Sequence, residues 1–197
     1  YNFTTPEFNV NVSQLPFWSL TVYFSWKVFK KVEPNVLDLI FLGIFSAAGF
    51  LSKYLFLYLL ISIDLLFIYL IYVIKDRKFQ FTYLVSFEVF LLFLIPHLVW
   101  LINNDYVTIS YGLARTGLED GQLFNHIKNP ILFFLKQIGI LIPFFVMCFL
   151  LFKKFKLKIN FKDKKLIFLT FINIAPIILV AITSLILGSK IRTMWMT

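Results

Sequence analysis

Residues 36–74, VLDLIFLGIFSAAGFLSKYLFLYLLISIDLLFIYLIYVI, decide the fold class of this chain. The stretch carries only three charged side chains, Asp38, Lys53 and Asp64. A helix of about 20 apolar residues crosses the roughly 30 Å hydrocarbon core of a bilayer. The stretch is long enough for two such helices joined by a tight turn at Ser52–Lys53. It therefore predicts a membrane helical hairpin.

The rest of the chain continues this apolar character. Of 197 residues, 60% are hydrophobic and 20% are aromatic, and the mean hydropathy is +0.85, whereas a soluble domain is about half apolar. No alternating ten-residue pattern repeats, which argues against a β-barrel. The single cysteine, Cys148, excludes an intrachain disulfide. We predict an all-α integral membrane protein, a single domain over 1–197 and a polytopic bundle of about six transmembrane helices, with spans at 14–30, 36–52, 54–74, 81–102, 130–152 and 166–187.

The net charge of +9 is concentrated in alternate loops. Residues 27–35 carry three lysines, 75–80 carry two lysines and an arginine, and 153–165 carry seven lysines. Lysine and arginine collect in the cytoplasmic loops of membrane proteins. The loops 30–35, 75–80 and 153–165 are therefore predicted to be cytoplasmic, where their charge sets topology and contacts anionic lipid. No ordered basic surface suited to nucleic acid is recognised.

The remaining connections are predicted to face outward: 1–13, the turn at Lys53, 103–129 and 188–197. The segment 103–129 is the only long polar one, and its part 105–116 could form a short interfacial helix. The sequence has no P-loop, nucleophile elbow, dinucleotide fingerprint or zinc-spaced His/Cys cluster. We predict no metal ligands and no firm cofactor.

Polar residues predicted at the outer face are the candidate functional groups. Lys53 could be a snorkelling anchor, with its stem in hydrocarbon and its ammonium at the headgroups. Alternatively it could belong to an anion site suited to a lipid phosphate. Several further side chains are predicted on the same side and could complete such a site: Tyr54, Arg115, Lys190 and Arg192, with Asp105 ordering the outer loop or touching the acceptor.

Three residues within the predicted spans have two interpretations each. Asp64 could form a structural polar contact with Glu88 or be hydrated inside the bundle. Alternatively, these carboxylates could serve a proton or substrate path, because carboxylates inside a membrane are costly. His97 could be a hydrogen-bonded bundle histidine, or it could order the outer loop or contact the acceptor. The sequence alone leaves these alternatives open.

Several motifs resemble the GT-C fold membrane glycosyltransferases of family 39, the set with the RgtA/B/C/D-like domain, related to protein mannosyltransferases and aminoarabinose transferases. The motifs are FLGIFSAAGFLSKYLFLYLL at 41–60, PHLVWLINNDYVTISY at 96–111, QLPFWSLTVYF at 14–24 and IKNPILFFLKQIGILIPFF at 127–145. The resemblance covers roughly 5–187. It implies that Lys53 contacts a carrier phosphate and that the general base lies in an external loop upstream of Tyr1. The family usually has an aspartate near the position of Asn11.

From the resemblance we expect a glycosyltransferase of a bacterial inner membrane with an outward-facing site. Its donor would be a polyprenyl-phosphate sugar, its acceptor a glycan, lipid or protein, and this chain would be a fragment without its base. The alternative is a transporter or lipid flippase that uses Asp64 and Glu88. Such proteins often show two similar halves and broken helices, and neither is clear here.

Overall fold

A computed structural model of the chain describes residues 10–75, 79–114, 124–152 and 163–189. These residues form helices and the turns between them, without strands. The helices are α1 (Val10–Lys30), α2 (Val36–Ser52), α3 (Leu57–Ile68), α4 (Leu84–Asn103), α5 (Val107–Ala114), α6 (Asn125–Phe152) and α7 (Lys164–Leu187). A 3₁₀ turn, Tyr54–Phe56, precedes α3, and a π-helical turn, Tyr69–Ile74, follows it; a second 3₁₀ turn, Phe81–Tyr83, precedes α4. The all-α prediction is confirmed.

Four helical segments in the described part of the chain are long and apolar enough to cross a membrane. They are Tyr54–Ile74, Phe81–Asn103, Asn125–Leu151 and Lys164–Leu187. The predicted spans 14–30 and 36–52 are also helical, but α2 is shorter and α1 does not meet the same criterion of length and hydropathy. About six spans therefore remain a prediction. Helix α5 lies inside the segment 103–129, where a short helix was predicted.

The chain folds as two compact units, and the single domain predicted from the sequence stays a prediction. The first unit contains residues 1–107 and 171–176, and the second contains 108–170 and 177–197. In the first unit, α2 packs against both α1 and α4. Phe24 of α1 stacks on Phe41 and Phe45 of α2, with ring centroids 5.2 and 5.5 Å apart. Helix α2 is therefore the centre of this unit.

Small residues allow α2 to approach α4 closely. A Cβ added to Gly43 would lie 2.5 Å from the carbonyl oxygen of Ser86 and 2.8 Å from the Cβ of Val89. Ser46 and Ala47, one turn further along α2, are buried. Membrane helices associate through such small-residue faces because lipid supplies no hydrophobic drive for helix contact. The sequence GIFSAAG thus fixes the α2–α4 contact.

The ends of α2 are set by its own sequence. Asn35 caps the start, where its side-chain oxygen accepts a hydrogen bond of 3.1 Å from the amide of Leu37. The helix ends at Ser52 because Lys53 is extended, with φ −162° and ψ 122°. The chain then re-enters a helix through the 3₁₀ turn Tyr54–Phe56. Lys53 therefore lies in a one-residue break between two apolar helices.

Candidate functional site

The break at Lys53 is held by backbone and side-chain hydrogen bonds. The Lys53 amide donates to the Gly49 carbonyl over 3.2 Å, and the Lys53 carbonyl accepts from the Phe56 amide over 2.9 Å. The Ser52 hydroxyl donates to the Ala48 carbonyl over 2.8 Å. These bonds satisfy polar groups that a helix end would otherwise leave without partners. The lysine is thus presented from a defined turn.

The Lys53 ammonium is directed towards the start of α1. Its Nζ donates to the Oδ1 of Asn11 over 2.7 Å, although 42 residues separate the two in sequence. The lysine is half-buried, and this burial lowers the pKa of its ammonium below the usual lysine value. Because the amide is neutral, the Lys53–Asn11 pair as a whole carries a positive charge.

Tyr54, the next residue, is directed to α4. Its hydroxyl lies 2.8 Å from the Nε2 of His97. The His97 ring stacks on Trp100 with centroids 5.8 Å apart and an interplanar angle of 17°. Phe50 of α2 packs on Tyr54 at 5.3 Å between centroids. We call Asn11, Lys53, Tyr54, His97 and Trp100 the α1–α2–α4 cluster.

The cluster gives His97 a partner and adds a residue that the sequence did not provide. His97 is hydrogen-bonded to Tyr54, and whether it also orders the outer loop or contacts the acceptor stays a prediction. The partnership of Asn11 with Lys53 was missed, although the resemblance had pointed to position 11 as unusual. The only hint in the sequence was that the start of α1 and the end of α2 were both predicted at the outer face.

Asp105 lies just after α4 and is exposed. It has a positive φ of 49°, followed by Tyr106 with φ 54°; aspartate tolerates this left-handed region better than most residues. The Tyr106 amide donates to the Leu101 carbonyl over 3.0 Å, so the backbone itself makes the turn into α5. Within the described residues the Asp105 carboxylate has no hydrogen bond, and its ordering role stays a prediction.

The other predicted cations lie outside the described residues. These are Arg115, Lys190 and Arg192, so the structure does not test whether they join Lys53. In the second unit, the chain just before Lys190 is held by α6. His126 Nδ1 donates to the Leu185 carbonyl over 2.8 Å, and Asn129 donates to the Gly188 carbonyl over 2.7 Å. This contact between α6 and the end of α7 was not predicted.

Asp64 borders a cavity within the first unit. The cavity has a volume of 440 Å³ and a mostly apolar wall that includes the aromatic side chains of Phe67, Tyr83 and Phe87. Asp64 forms no hydrogen bond or ion pair with Glu88 in the described structure, and Glu88 does not line the cavity. The direct contact between these carboxylates, one of the two interpretations, is therefore not seen among the described residues.

The opposite end of the α1–α2 pair holds ion pairs that were not predicted from the sequence. Asp38, in the first turn of α2, is 3% exposed. One of its oxygens pairs with Lys27, and the other lies 3.5 Å from the Lys31 ammonium. Two of the three lysines that mark the predicted cytoplasmic loop thus join α1 to α2. We call these three residues the Asp38 clasp.

No group of three or more His, Cys, Asp or Glu side chains that could hold a metal ion occurs within the ranges that the structure describes.

Among protein families, the model described as dolichyl-phosphate-mannose-protein mannosyltransferase matches residues 1–100. All five residues of the α1–α2–α4 cluster fall within this match. Neither a curated protein nor a solved structure matches significantly.

Proposed function

Because the chain belongs to the dolichyl-phosphate-mannose-protein mannosyltransferase family of GT-C membrane glycosyltransferases, we propose that it uses a polyprenyl-phosphate sugar as donor. The sugar passes to an acceptor hydroxyl or amine at the outer face of the membrane, which we place in a bacterial inner membrane. The observation that supports this proposal is the Lys53 ammonium, held 2.7 Å from the neutral amide of Asn11 at the end of α2.

The reaction explains why a cation is needed there. The acceptor atom attacks the anomeric carbon of the sugar, and the bond from that carbon to the phosphate oxygen breaks. The leaving lipid phosphate gains negative charge as this bond opens, so a fixed ammonium lowers the energy of the transition state. In the proposal, Lys53 contacts that phosphate. A general base must take the acceptor proton, and no residue of the cluster is assigned to that role.

Tyr54 is the second donor-binding residue in the proposal. It follows Lys53 directly and places a hydroxyl at the side of the turn that faces α4. A tyrosine hydroxyl donates one hydrogen bond and suits a phosphate oxygen. Arg115, Lys190 and Arg192 are proposed as further phosphate contacts, and Asp105 as a residue that orders the outer loop or touches the acceptor. The polyprenyl chain of the carrier would lie in the lipid bilayer.

The proposal is tested with the intact protein in proteoliposomes. Radiolabelled polyprenyl-phosphate sugars are supplied with candidate acceptors, and label transfer is measured for the wild type, Lys53→Ala and Lys30→Ala. Lys30 is the matched control, because it is an exposed lysine at the end of α1 and its loss removes the same charge. We expect Lys53→Ala to lose transfer and Lys30→Ala to retain it. Full transfer by Lys53→Ala at normal expression would remove Lys53 from the site.

A further inference from the structure

The contact between Tyr54 and His97 joins the turn after α2 to the last third of α4. Its length of 2.8 Å between the tyrosine oxygen and Nε2 is that of a strong hydrogen bond. The histidine ring cannot turn easily, because it stacks on Trp100 at an interplanar angle of 17°. The Nε2 of His97 therefore stays in contact with the Tyr54 hydroxyl.

One hydrogen lies between these two atoms, and either partner can supply it. If Nε2 is bare, the tyrosine donates to it, and the tyrosine hydrogen points at the ring. If Nε2 carries a hydrogen, the ring donates to the tyrosine oxygen, and the tyrosine hydrogen points elsewhere. A phosphodiester anion only accepts hydrogen bonds. Tyr54 can therefore donate to a phosphate only in the second arrangement.

We propose that His97 is a positioning residue for the lipid-linked donor. By donating its Nε2 hydrogen to the Tyr54 oxygen, it turns the tyrosine hydrogen towards the donor phosphate beside Lys53. This inference rests on the proposed function. His97 touches neither the sugar nor the phosphate and acts through Tyr54, so its effect falls on the binding of the donor.

Two substitutions separate this role from simple packing. His97→Phe keeps a ring that can stack on Trp100 but has no N–H group. His97→Gln loses the ring but keeps an amide that can donate to Tyr54. If His97 serves only to pack, His97→Phe should have the lower KM for the lipid-linked donor. If His97 positions the Tyr54 hydroxyl, His97→Gln should have the lower KM. The two hypotheses thus predict opposite orders.

The experiment measures kcat and KM for a polyprenyl-phosphate sugar in proteoliposomes of the intact protein. We expect His97→Gln to stay within about threefold of the wild-type KM. We expect His97→Phe to raise KM roughly tenfold or more, the size of a lost hydrogen bond to a charged group, with a smaller change in kcat. In a Tyr54→Phe background the difference between His97→Phe and His97→Gln should vanish.

A spectroscopic measurement supports the kinetics. The chain has two histidines, so the ¹⁵N signal of His97 is assigned by comparison with His97→Gln. On addition of polyprenyl phosphate, we expect Nε2 to show the chemical shift of a protonated nitrogen. A bare Nε2 in the presence of the lipid would overturn the proposal.

The failure of this inference differs from the failure of the proposed function. Absence of transfer by the wild type, or normal transfer by Lys53→Ala, would contradict the proposed function. If transfer requires Lys53 but His97→Phe has a wild-type KM, the positioning role is wrong. It is equally wrong if His97→Gln is as poor as His97→Phe, or if their difference persists without the Tyr54 hydroxyl.

Discussion

Removal of Lys27 should destabilise the protein more than removal of any neighbouring lysine. In the Asp38 clasp, the carboxylate is almost fully buried, with a side-chain exposure of 5%, while the Lys27 and Lys31 side chains are 36% and 49% exposed. Either lysine can regain water when its partner is lost. The carboxylate cannot, so its free energy depends on the ammonium groups that face it.

The magnitudes follow from this asymmetry. Breaking a buried ion pair from one side costs about 3–5 kcal/mol. Lys27→Met should cost less than this, because the Lys27 side chain is 36% exposed and Lys31 remains 3.5 Å from the other oxygen. It should still cost the most of the substitutions compared here, because it leaves the buried carboxylate with one more distant cation. Lys31→Met should cost less than about 1 kcal/mol, as for exposed pairs. Asp38→Asn should fall between them, about 1–2 kcal/mol, because it leaves two hydrated lysines and no buried charge.

The assay is reversible unfolding of the detergent-solubilised protein by SDS, followed by tryptophan fluorescence. Lys30→Met is the control, since it removes a lysine from the same end of α1 and therefore lowers the positive charge at that end by the same amount. The expected order of destabilisation is Lys27→Met, then Asp38→Asn, then Lys31→Met and Lys30→Met. If Lys27→Met unfolds at the same SDS fraction as Lys30→Met, the clasp contributes no stability and the reasoning is refuted.

Three further predictions concern the first unit. Gly43→Ala should destabilise it by about 2 kcal/mol in the same assay, because the new Cβ would lie 2.5 Å from the Ser86 carbonyl oxygen. The control is Gly139→Ala in α6 of the second unit, whose new Cβ meets no atom within 4 Å; it should not destabilise the protein, because alanine favours a helix over glycine. Burial lowers the pKa of Lys53 below the usual value of 10.5. As the pH rises from the lowered pKa towards 10.5, the ammonium loses its proton, and the KM for the lipid donor should rise. Over the same pH range the folded protein no longer bears the cost of burying a charged ammonium, so the free energy of unfolding should increase slightly. Lys53→Met should abolish both pH dependences. Asp64→Asn should leave sugar transfer unchanged, because Asp64 lies about 16 Å along the helix from Lys53; loss of transfer with normal expression would contradict this.

The helices could be predicted from the sequence because hydropathy and backbone chemistry act together. In lipid, every backbone amide must find a partner within its own segment, so an apolar run of sufficient length forms a helix. The prediction for 166–187 differs from α7 by two residues at its start, where Asp163 caps the helix and accepts a hydrogen bond of 2.9 Å from the Lys165 amide. Caps of this kind depend on single side chains, which a hydropathy pattern does not weigh.

The candidate site could be predicted only in part. Alternation of the loops placed Lys53 and the start of α1 at one end, and it placed His97 near that end. It could not show that α2 lies between α1 and α4, because neighbour relations among helices arise from side-chain packing over long sequence separations. The Lys53–Asn11 and Tyr54–His97 contacts, which span 42 and 43 residues, follow from that packing.

The two ends of the α1–α2 pair use the same kind of cation with different partners. At one end Lys27 meets a buried carboxylate that offsets its positive charge, and this ion pair joins α1 to α2. At the other end Lys53 meets an amide, and the positive charge of the pair is not cancelled by that partner. A snorkelling anchor would need only water and headgroups around its ammonium. The Asn11 amide orients the ammonium without adding a charge of its own, and the proposed phosphate contact would use a cation held in this way.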